Sequence, residues 1–321
     1  MLAAIVIALP WFTGAIAALA IVSSGRNDES FFPAAFWLGL GGLFGSFFPP
    51  LILYCSLKAA INPFSTQVLW TVTSLMLVVI VASASKLLKN RLISSSFPFI
   101  FLIPIGLILA DAVSGLSHHL IRPISSLDAL DYWVTRAVHF IDAAHMSPPF
   151  ENFTHEHRHP ITLILLLAWS GWVSSMLSGG SAYLPWLFCW LSIVLIALGI
   201  IHALTRKLYL SVVAAWFVGS LPLLTNQAME GGYADLWLAC VFLAAAGSIM
   251  VGLATGSGQP TFLGLAVALL LLAIKNIGVV FLAILVAATV IFALFRVSRV
   301  LALATMTLGV ILCTSLATHG F

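Results

Sequence analysis

Most residues that could carry out chemistry lie in one central stretch of the sequence. Eight of the ten acidic residues fall between positions 111 and 235, and seven of the nine histidines fall between positions 118 and 159. Titratable side chains gathered in one region are where acid–base chemistry is expected. No acid follows Asp235, so the last third is predicted to be scaffold apart from Lys275. The eight acids are Asp111, Asp128, Asp131, Asp142, Glu151, Glu156, Glu230 and Asp235.

Residues 126–142 have the periodicity of an amphipathic helix. Polar side chains recur at steps of three and four and apolar ones fill the opposite side, which predicts a helix lying flat at a membrane surface. Two interpretations stay open. Either the acids are solvated on a linker, or Asp128 or Asp131 points into a cavity and removes a proton from an acceptor hydroxyl. The polar stripe consists of Asp128, Asp131, Thr135, His139 and Asp142.

Three alternate histidines follow, at His155, His157 and His159. In an extended chain alternate side chains share a face, so three imidazoles at this spacing could gather a transition metal. A solvated loop is the favoured interpretation, and no metal site is assigned, with the three histidines kept as weak candidates.

A second polar element runs from Glu230 through two glycines and Tyr233 to Asp235. Asp235 at a helix start is what an N-cap requires, so capping alone would explain its type. The glycine pair permits a tight turn or close approach to a ligand. Farther along, Lys275 either reaches to the membrane surface or binds a lipid phosphate as a compact charge.

Composition defines the class of protein that must position these residues. Of 321 residues, 62% are hydrophobic and only 7% are charged, against roughly 25% charged in a soluble domain. This excludes a cytosolic enzyme, a nucleic-acid binder and a disordered chain. Apolar runs long enough to cross a bilayer recur, which predicts an all-α, polytopic integral membrane protein. Four cysteines lie in such runs without metal-binding spacing, so they are expected to be buried and inert.

About ten transmembrane helices are predicted. Residues 261–295 are nearly continuous and as one helix would extend about 52 Å, far beyond a ~30 Å hydrocarbon core. The pair Lys275 and Asn276 is therefore predicted to form a turn between two short spans. The candidate spans are 3–22, 34–55, 67–85, 96–113, 184–204, 208–225, 235–254, 260–275, 277–295 and 300–318.

Lysine and arginine positions set the expected orientation. If the apolar stretch 161–178 does not cross, eight basic residues share one side and five the other, which satisfies the positive-inside rule. If it crosses, the rule is violated. A re-entrant or interfacial 161–178 is therefore favoured, with the N-terminus and loops 114–160 and 226–234 on the outer side. The outer five are Lys58, Arg122, Arg136, Arg158 and Lys275.

Four short motifs occur in an order that resembles a known family. They are Asp128-Ala-Leu-Asp-Tyr-Trp133, His159-Pro160, Gly232-Tyr-Ala-Asp-Leu-Trp-Leu-Ala239 and Lys275-Asn-Ile-Gly278. This order resembles the GT-C superfamily of membrane glycosyltransferases, in particular bacterial relatives of the protein O-mannosyltransferases and aminoarabinose transferases. The resemblance covers about residues 96–295. It divides the chain into a three-helix region at 1–95, a GT-C-like core at 96–295 and a C-terminal helix at 296–321.

The resemblance implies inverting transfer of a sugar from a polyprenyl-phosphate carrier, at the outer face of a bacterial cytoplasmic membrane. Asp128 corresponds to the family's catalytic aspartate, and Asp235 to its second acid, which orients the acceptor or helps to hold Mg²⁺ or Mn²⁺. Lys275 would hold the carrier phosphate. The remaining substrate-binding candidates are Asp131, Tyr132, Arg158, His159, Tyr233 and Asn276.

Departures from the family pattern motivate an alternative. Ile277 replaces the usual glutamate, and the chain is shorter than most members. The alternative is a noncatalytic membrane subunit that keeps the scaffold and binds a lipid or a partner membrane protein. A transporter is disfavoured, because the later spans carry no ionisable residue apart from Lys275. The expected partners are a lipid-linked sugar and membrane lipid, with no nucleic acid.

Overall fold

The computed structural model describes residues 2–22, 32–59, 61–89, 102–121, 133–143, 161–176 and 182–297, and every regular element in these ranges is helical. The all-α prediction is confirmed for this part of the chain. The helices are α1 (Leu2–Val22), α2 (Ala34–Ser46), α3 (Phe48–Lys58), α4 (Thr66–Lys89), α5 (Leu102–Ile121), α6 (Thr135–Ala143), α7 (Thr162–Met176), α8 (Leu184–Thr205), α9 (Leu208–Gly219), α10 (Pro222–Glu230), α11 (Ala234–Thr255), α12 (Gly258–Ala268), a 3₁₀ helix (Leu269–Ala273) and α13 (Gly278–Val297).

Within the described ranges, five helices are long and apolar enough to cross a membrane. They are α1, α2 with α3 as one unit, α4, α8 and α11, and α9 with α10 would make six if that bent pair is one span. Several apolar helices of this length support an integral membrane protein. The count of about ten spans is not confirmed.

The predicted span 208–225 falls on two helices that meet at a bend. The chain bends by 58° between α9 and α10, and α10 takes in most of the predicted loop 226–234. Pro222 explains the break, because it stands in the first turn of α10 and has no N–H to continue the preceding helix.

Helices α8 and α11 form the centre and run in the same direction. Trp186 is the third residue of α8 and Trp237 the fourth residue of α11, and their ring centroids lie 6.0 Å apart at 90°. Toward the other ends, Gly247 lies directly against the Ile200 side chain. Both helices therefore begin at the same face of the bundle, which we call the Asp235 face.

Helix α2 runs toward the Asp235 face. Gly199 of α8 lies against Phe36, Gly39 lies against Ser192, and farther along the Phe47 ring is 5.5 Å from that of Trp237. Because α3 continues α2 as one apolar unit, the connection after α3 also lies at the Asp235 face.

Helix α7 stays at this face. Ile161, just before the helix, and Leu165 in its first turn line a groove together with Ala273. In the middle of the helix, the Ser170 hydroxyl donates a hydrogen bond to the carbonyl of Ala182. Farther along, the Trp172 ring contacts that of Phe64, which follows α3. All of these partners lie where α8 begins or where α3 and the 3₁₀ helix end. The re-entrant or interfacial position of 161–178 stays a prediction.

Helix α6 packs on α7 through the apolar side predicted for residues 126–142. Trp133, Ala137 and Phe140 are buried, and Ile141 reaches the open side of Gly171. The described helix begins at Thr135, and residues 126–132 lie outside the described ranges. Arg136 is buried with them, although the predicted stripe did not include it.

Glycines let α1 and α2 approach until their backbones touch. A Cβ on Gly14 would collide with the carbonyl of Gly41 and the backbone of Gly45. Nearby, the indole of Trp11 donates a 2.8 Å hydrogen bond to the buried hydroxyl of Ser192 on α8. Close backbone contact through small residues is a common source of helix association in membranes.

Replacing Gly14 by leucine is expected to lower the free energy of unfolding by about 1–3 kcal/mol, because backbone atoms cannot move aside as a flexible side chain can. Thermal unfolding in detergent, followed by tryptophan fluorescence, measures this. Gly106→Leu is the matched control, since a Cβ there meets no atom within 4 Å. Equal losses in the two variants would contradict the packing account.

Candidate functional site

The site is centred on an ion pair between residues that are 40 positions apart. The ammonium of Lys275 lies 2.8 Å from Oδ1 of Asp235 and donates a hydrogen bond to it. The Lys275 side chain is 29% exposed and that of Asp235 is 52% exposed. Two residues singled out independently in the sequence therefore meet at the Asp235 face, with both charges accessible.

The turn that carries Lys275 was predicted correctly. After the 3₁₀ helix, residues 274–277 form a turn in which the amide of Gly278 donates to the carbonyl of Lys275 and that of Val279 to the carbonyl of Asn276. Gly278 then opens α13, and a Cβ there would collide with the Leu271 carbonyl. Gly278 is the last residue of the Lys275-Asn-Ile-Gly278 motif, but it was not among the predicted site residues.

Asp235 is not the N-cap that its position suggested. Tyr233 is the N-cap of α11 and provides no side-chain hydrogen bond, whereas Asp235 is the second residue of the helix. A carboxylate in the first turn is favoured by the helix dipole, and here it also faces Lys275. The tertiary ion pair, and not local capping, explains the aspartate.

The loop before α11 is held on α8. Gly231 and Gly232 have φ values of 68° and 81°, which only glycine adopts readily, so the predicted tight turn is present. The Trp186 indole donates to the Tyr233 carbonyl at 2.8 Å, and the Tyr233 hydroxyl donates to Oε2 of Glu230 at 3.1 Å. Tyr233 therefore positions the loop next to Asp235.

A buried histidine holds the end of α10. Nε2 of His119, near the end of α5 and beyond the candidate span 96–113, lies 2.7 Å from the carbonyl of Ala228. A carbonyl only accepts hydrogen bonds, so this nitrogen carries the proton. Burial lowers the pKa of His119 to about 4, with a smaller lowering by His118. The imidazole is therefore neutral at pH 7.

This histidine predicts acid sensitivity. Its folded pKa lies below the usual 6.5, so the folded state binds fewer protons, and stability falls as pH drops from about 6.5 to about 4. The loss is on the order of 3 kcal/mol. His119→Gln, which keeps a donor but does not titrate, is expected to show a flatter dependence in thermal unfolding between pH 7 and pH 4. The same slope for both proteins would contradict this assignment.

An apolar groove lies close to the backbone of Lys275. It has a volume of about 470 Å³, and its walls come from α2 and α3, from the start of α7 and from the 3₁₀ helix. Ala273 lies only two residues before Lys275, so their Cα atoms are within about 7 Å. Polar groups in the wall are few, contributed by Tyr54 and Thr162. The full lining is Phe44, Phe47, Phe48, Pro50, Leu51, Tyr54, Ile161, Thr162, Leu165, Leu270 and Ala273.

The structure brings together only some of the predicted site residues. Asp235, Tyr233, Lys275 and Asn276 come together at the Asp235 face. The other candidates, which lie outside the described residues, are Asp128, Asp131, Tyr132, His155, His157, Arg158 and His159. The groove residues were not predicted, since an apolar side chain that lines a groove has the same sequence signature as one that faces lipid.

The donors described around Asp235 do not fit a divalent cation. Mg²⁺ and Mn²⁺ require several oxygen ligands, but an ammonium already occupies Oδ1 of this carboxylate. Glu230 instead accepts the Tyr233 hydroxyl. Within the described ranges, no three His, Cys, Asp or Glu residues are arranged to hold a metal.

No family model matches the sequence, and no curated protein or solved structure is significantly similar to it.

Proposed function

We propose that the protein is an inverting glycosyltransferase that moves a sugar from a polyprenyl-phosphate carrier to an acceptor hydroxyl. The full chain has about ten spans with the GT-C arrangement, and it lies in a bacterial cytoplasmic membrane with the Asp235 face outward. The motif order supports this proposal, together with one physical observation: an apolar groove is lined by Ala273, two residues before Lys275, whose side chain is 29% exposed.

The groove and the lysine together match the chemistry of a lipid phosphate. Such a lipid has an apolar tail and an anionic head, and the groove offers apolar walls within two residues of an ammonium. An ammonium acts on phosphate as a compact charge with three donors. A soluble nucleotide sugar has no apolar tail that could occupy this groove.

Asp235 forms an ion pair with Lys275 when no carrier is bound. In the absence of carrier, the carboxylate neutralises Lys275 and fixes its direction through the 2.8 Å bond. When the carrier enters from the bilayer, its phosphate accepts a hydrogen bond from the Lys275 ammonium, either in place of the Asp235 carboxylate or together with it. Arg158 is a second donor to the phosphate. Asp235 is then free to orient the acceptor.

Asp128 supplies the general base in this proposal. It takes the proton of the acceptor hydroxyl while that oxygen attacks the anomeric carbon and the carrier phosphate leaves. Asp131, Tyr132, Tyr233, His159 and Asn276 line the sugar and acceptor sites. No step requires a metal.

Binding and transfer assays separate this function from the noncatalytic alternative. Polyprenyl phosphate at 100 times its Kd is expected to stabilise the purified protein by about 2.7 kcal/mol, whereas the uncharged polyprenol should have a much smaller effect. Transfer of radiolabelled sugar from the glycosylated carrier then identifies an enzyme. Binding without transfer to any acceptor supports the lipid-binding subunit, and equal binding of phosphate and alcohol contradicts both.

A further inference from the structure

Two side chains lie in surroundings that differ from those the sequence predicts. Cys55 is exposed, so the expectation that all four cysteines are buried is wrong for it. The candidate span 96–113 places Asp111 two residues before its end, next to an outer loop. Helix α5 instead continues to Ile121, and Asp111 is the tenth of its 20 residues. The carboxylate therefore stands in the middle of a helix.

Contacts with α8 indicate the depth of Asp111. This residue lines a small cavity together with Leu187 and Trp190 of α8 and with Thr225 of α10. Trp190 is the seventh residue of α8, so it lies about 9 Å from the start of a helix that is long enough to cross a bilayer. Asp111 is therefore below the Asp235 face, at the depth of the hydrocarbon core.

The Asp111 carboxylate lacks a counter-charge. Within the part of the chain that the structure describes, it forms no hydrogen bond or ion pair. Ionisable residues at this depth are costly, and they almost always pair with another group or face a water-filled cavity. The cavity beside Asp111 has a volume of about 10 Å³, with room for no more than about one water molecule. A basic partner must therefore approach from the lipid side.

The chain has no basic residue of its own at this depth. None of its 13 lysines and arginines lies within a candidate span, apart from Lys275 at the end of one. Lys275 is at the Asp235 face, where it pairs with Asp235. A second copy of the chain brings the same residues, so the counter-charge is expected from a different protein.

The outer side of α5 has the shape that a neighbouring helix requires. Gly106, Ala110 and Ser114 recur every four residues and are exposed, and a Cβ on Gly106 meets no atom within 4 Å. Residues four apart share one side of a helix, and small residues there let a second helix approach closely. Asp111 follows Ala110 directly, at the border with the buried side. We call Gly106, Ala110, Asp111 and Ser114 the α5 face.

We propose that the α5 face docks a transmembrane helix of another membrane protein, whose lysine or arginine pairs with Asp111. The small residues bring the two helices close, so the basic side chain reaches the carboxylate and each charge is compensated within the bilayer. The interaction requires no transferase activity, so it applies equally to an enzyme and to a noncatalytic subunit.

Peptide binding in liposomes tests the proposal. The probes are two dansyl-labelled polyleucine helices of about 20 residues, one with a central lysine and one with a central glutamine. Energy transfer from the tryptophans of the full-length protein to dansyl measures binding. The lysine peptide should bind the wild-type protein about 10-fold more tightly, as expected for a charge-assisted hydrogen bond. In Asp111→Asn, with Tm at the wild-type level, this preference should disappear.

Two alanine variants test whether binding occurs at the α5 face. Ala110→Leu should weaken binding of the lysine peptide, because the larger side chain holds the second helix away. Ala82→Leu, the matched change at an exposed position of α4, should leave binding unchanged. Equal affinity of the two peptides for the wild-type protein would overturn the proposal. Self-association of the protein that Ala110→Leu abolishes would also overturn it, because a second copy would then occupy the face.

Discussion

Lys275→Gln is expected to reduce sugar transfer and polyprenyl-phosphate binding by about 10- to 100-fold. A charge-assisted hydrogen bond contributes roughly 1.5–3 kcal/mol, and glutamine removes the charge that holds the phosphate. Loss of the Asp235 ion pair should cost little stability, because both partners are partly exposed. Initial rates with radiolabelled lipid-linked sugar, measured over a range of carrier concentrations, give the effect.

Two further variants make the Lys275 result specific. Lys275→Arg keeps the charge and should retain more activity than the glutamine variant. Lys207→Gln removes an exposed lysine that follows α8 at the end opposite the Asp235 face, so it should leave transfer unchanged. Similar losses for Lys207→Gln and Lys275→Gln would show that general membrane charge, not the site, is responsible.

Asp128→Asn should have the largest effect of any single substitution. General-base catalysis contributes about 10²- to 10⁴-fold, and asparagine keeps the size of the side chain but cannot accept the proton. Expression, Tm and carrier binding should stay at the wild-type level, so that only the transfer rate falls. Asp142→Asn is the matched control, because it changes another carboxylate of the same predicted polar stripe.

Retained transfer in Asp128→Asn would remove the enzymatic assignment of that residue. If carrier binding by Lys275 survived in the same preparation, the noncatalytic lipid-binding alternative would become the better account. The two substitutions therefore test different parts of the proposal, one the chemistry and the other the lipid site.

The sequence was sufficient for features that depend on length and composition. The helical class follows from apolar runs, and the turn at Lys275 follows because one helix through it would be too long for a bilayer. The glycine pair before Tyr233 indicated the tight turn, since two adjacent glycines remove the steric cost of positive φ. Each of these arguments is local.

Features created by tertiary contact could not be predicted in the same way. Asp235 fits an N-cap by position, and only the packing of the 274–277 turn against α11 reveals its bond to Lys275. The groove draws its walls from four separate segments, and nothing in any one of them marks a shared cavity. The break at Pro222 was missed because apolar character continues across it.

Photo-crosslinking of a polyprenyl phosphate tests the lipid site most directly. A carrier with a diazirine in its isoprene units next to the phosphate should label groove residues, above all Leu270 and Leu51, as peptide mapping would show. Labelling should fall about 10- to 100-fold in Lys275→Gln, as the loss of a charged hydrogen bond implies. Equal labelling of the exposed outer side of α4, or labelling that does not depend on Lys275, would contradict a lipid-phosphate site at the Asp235 face.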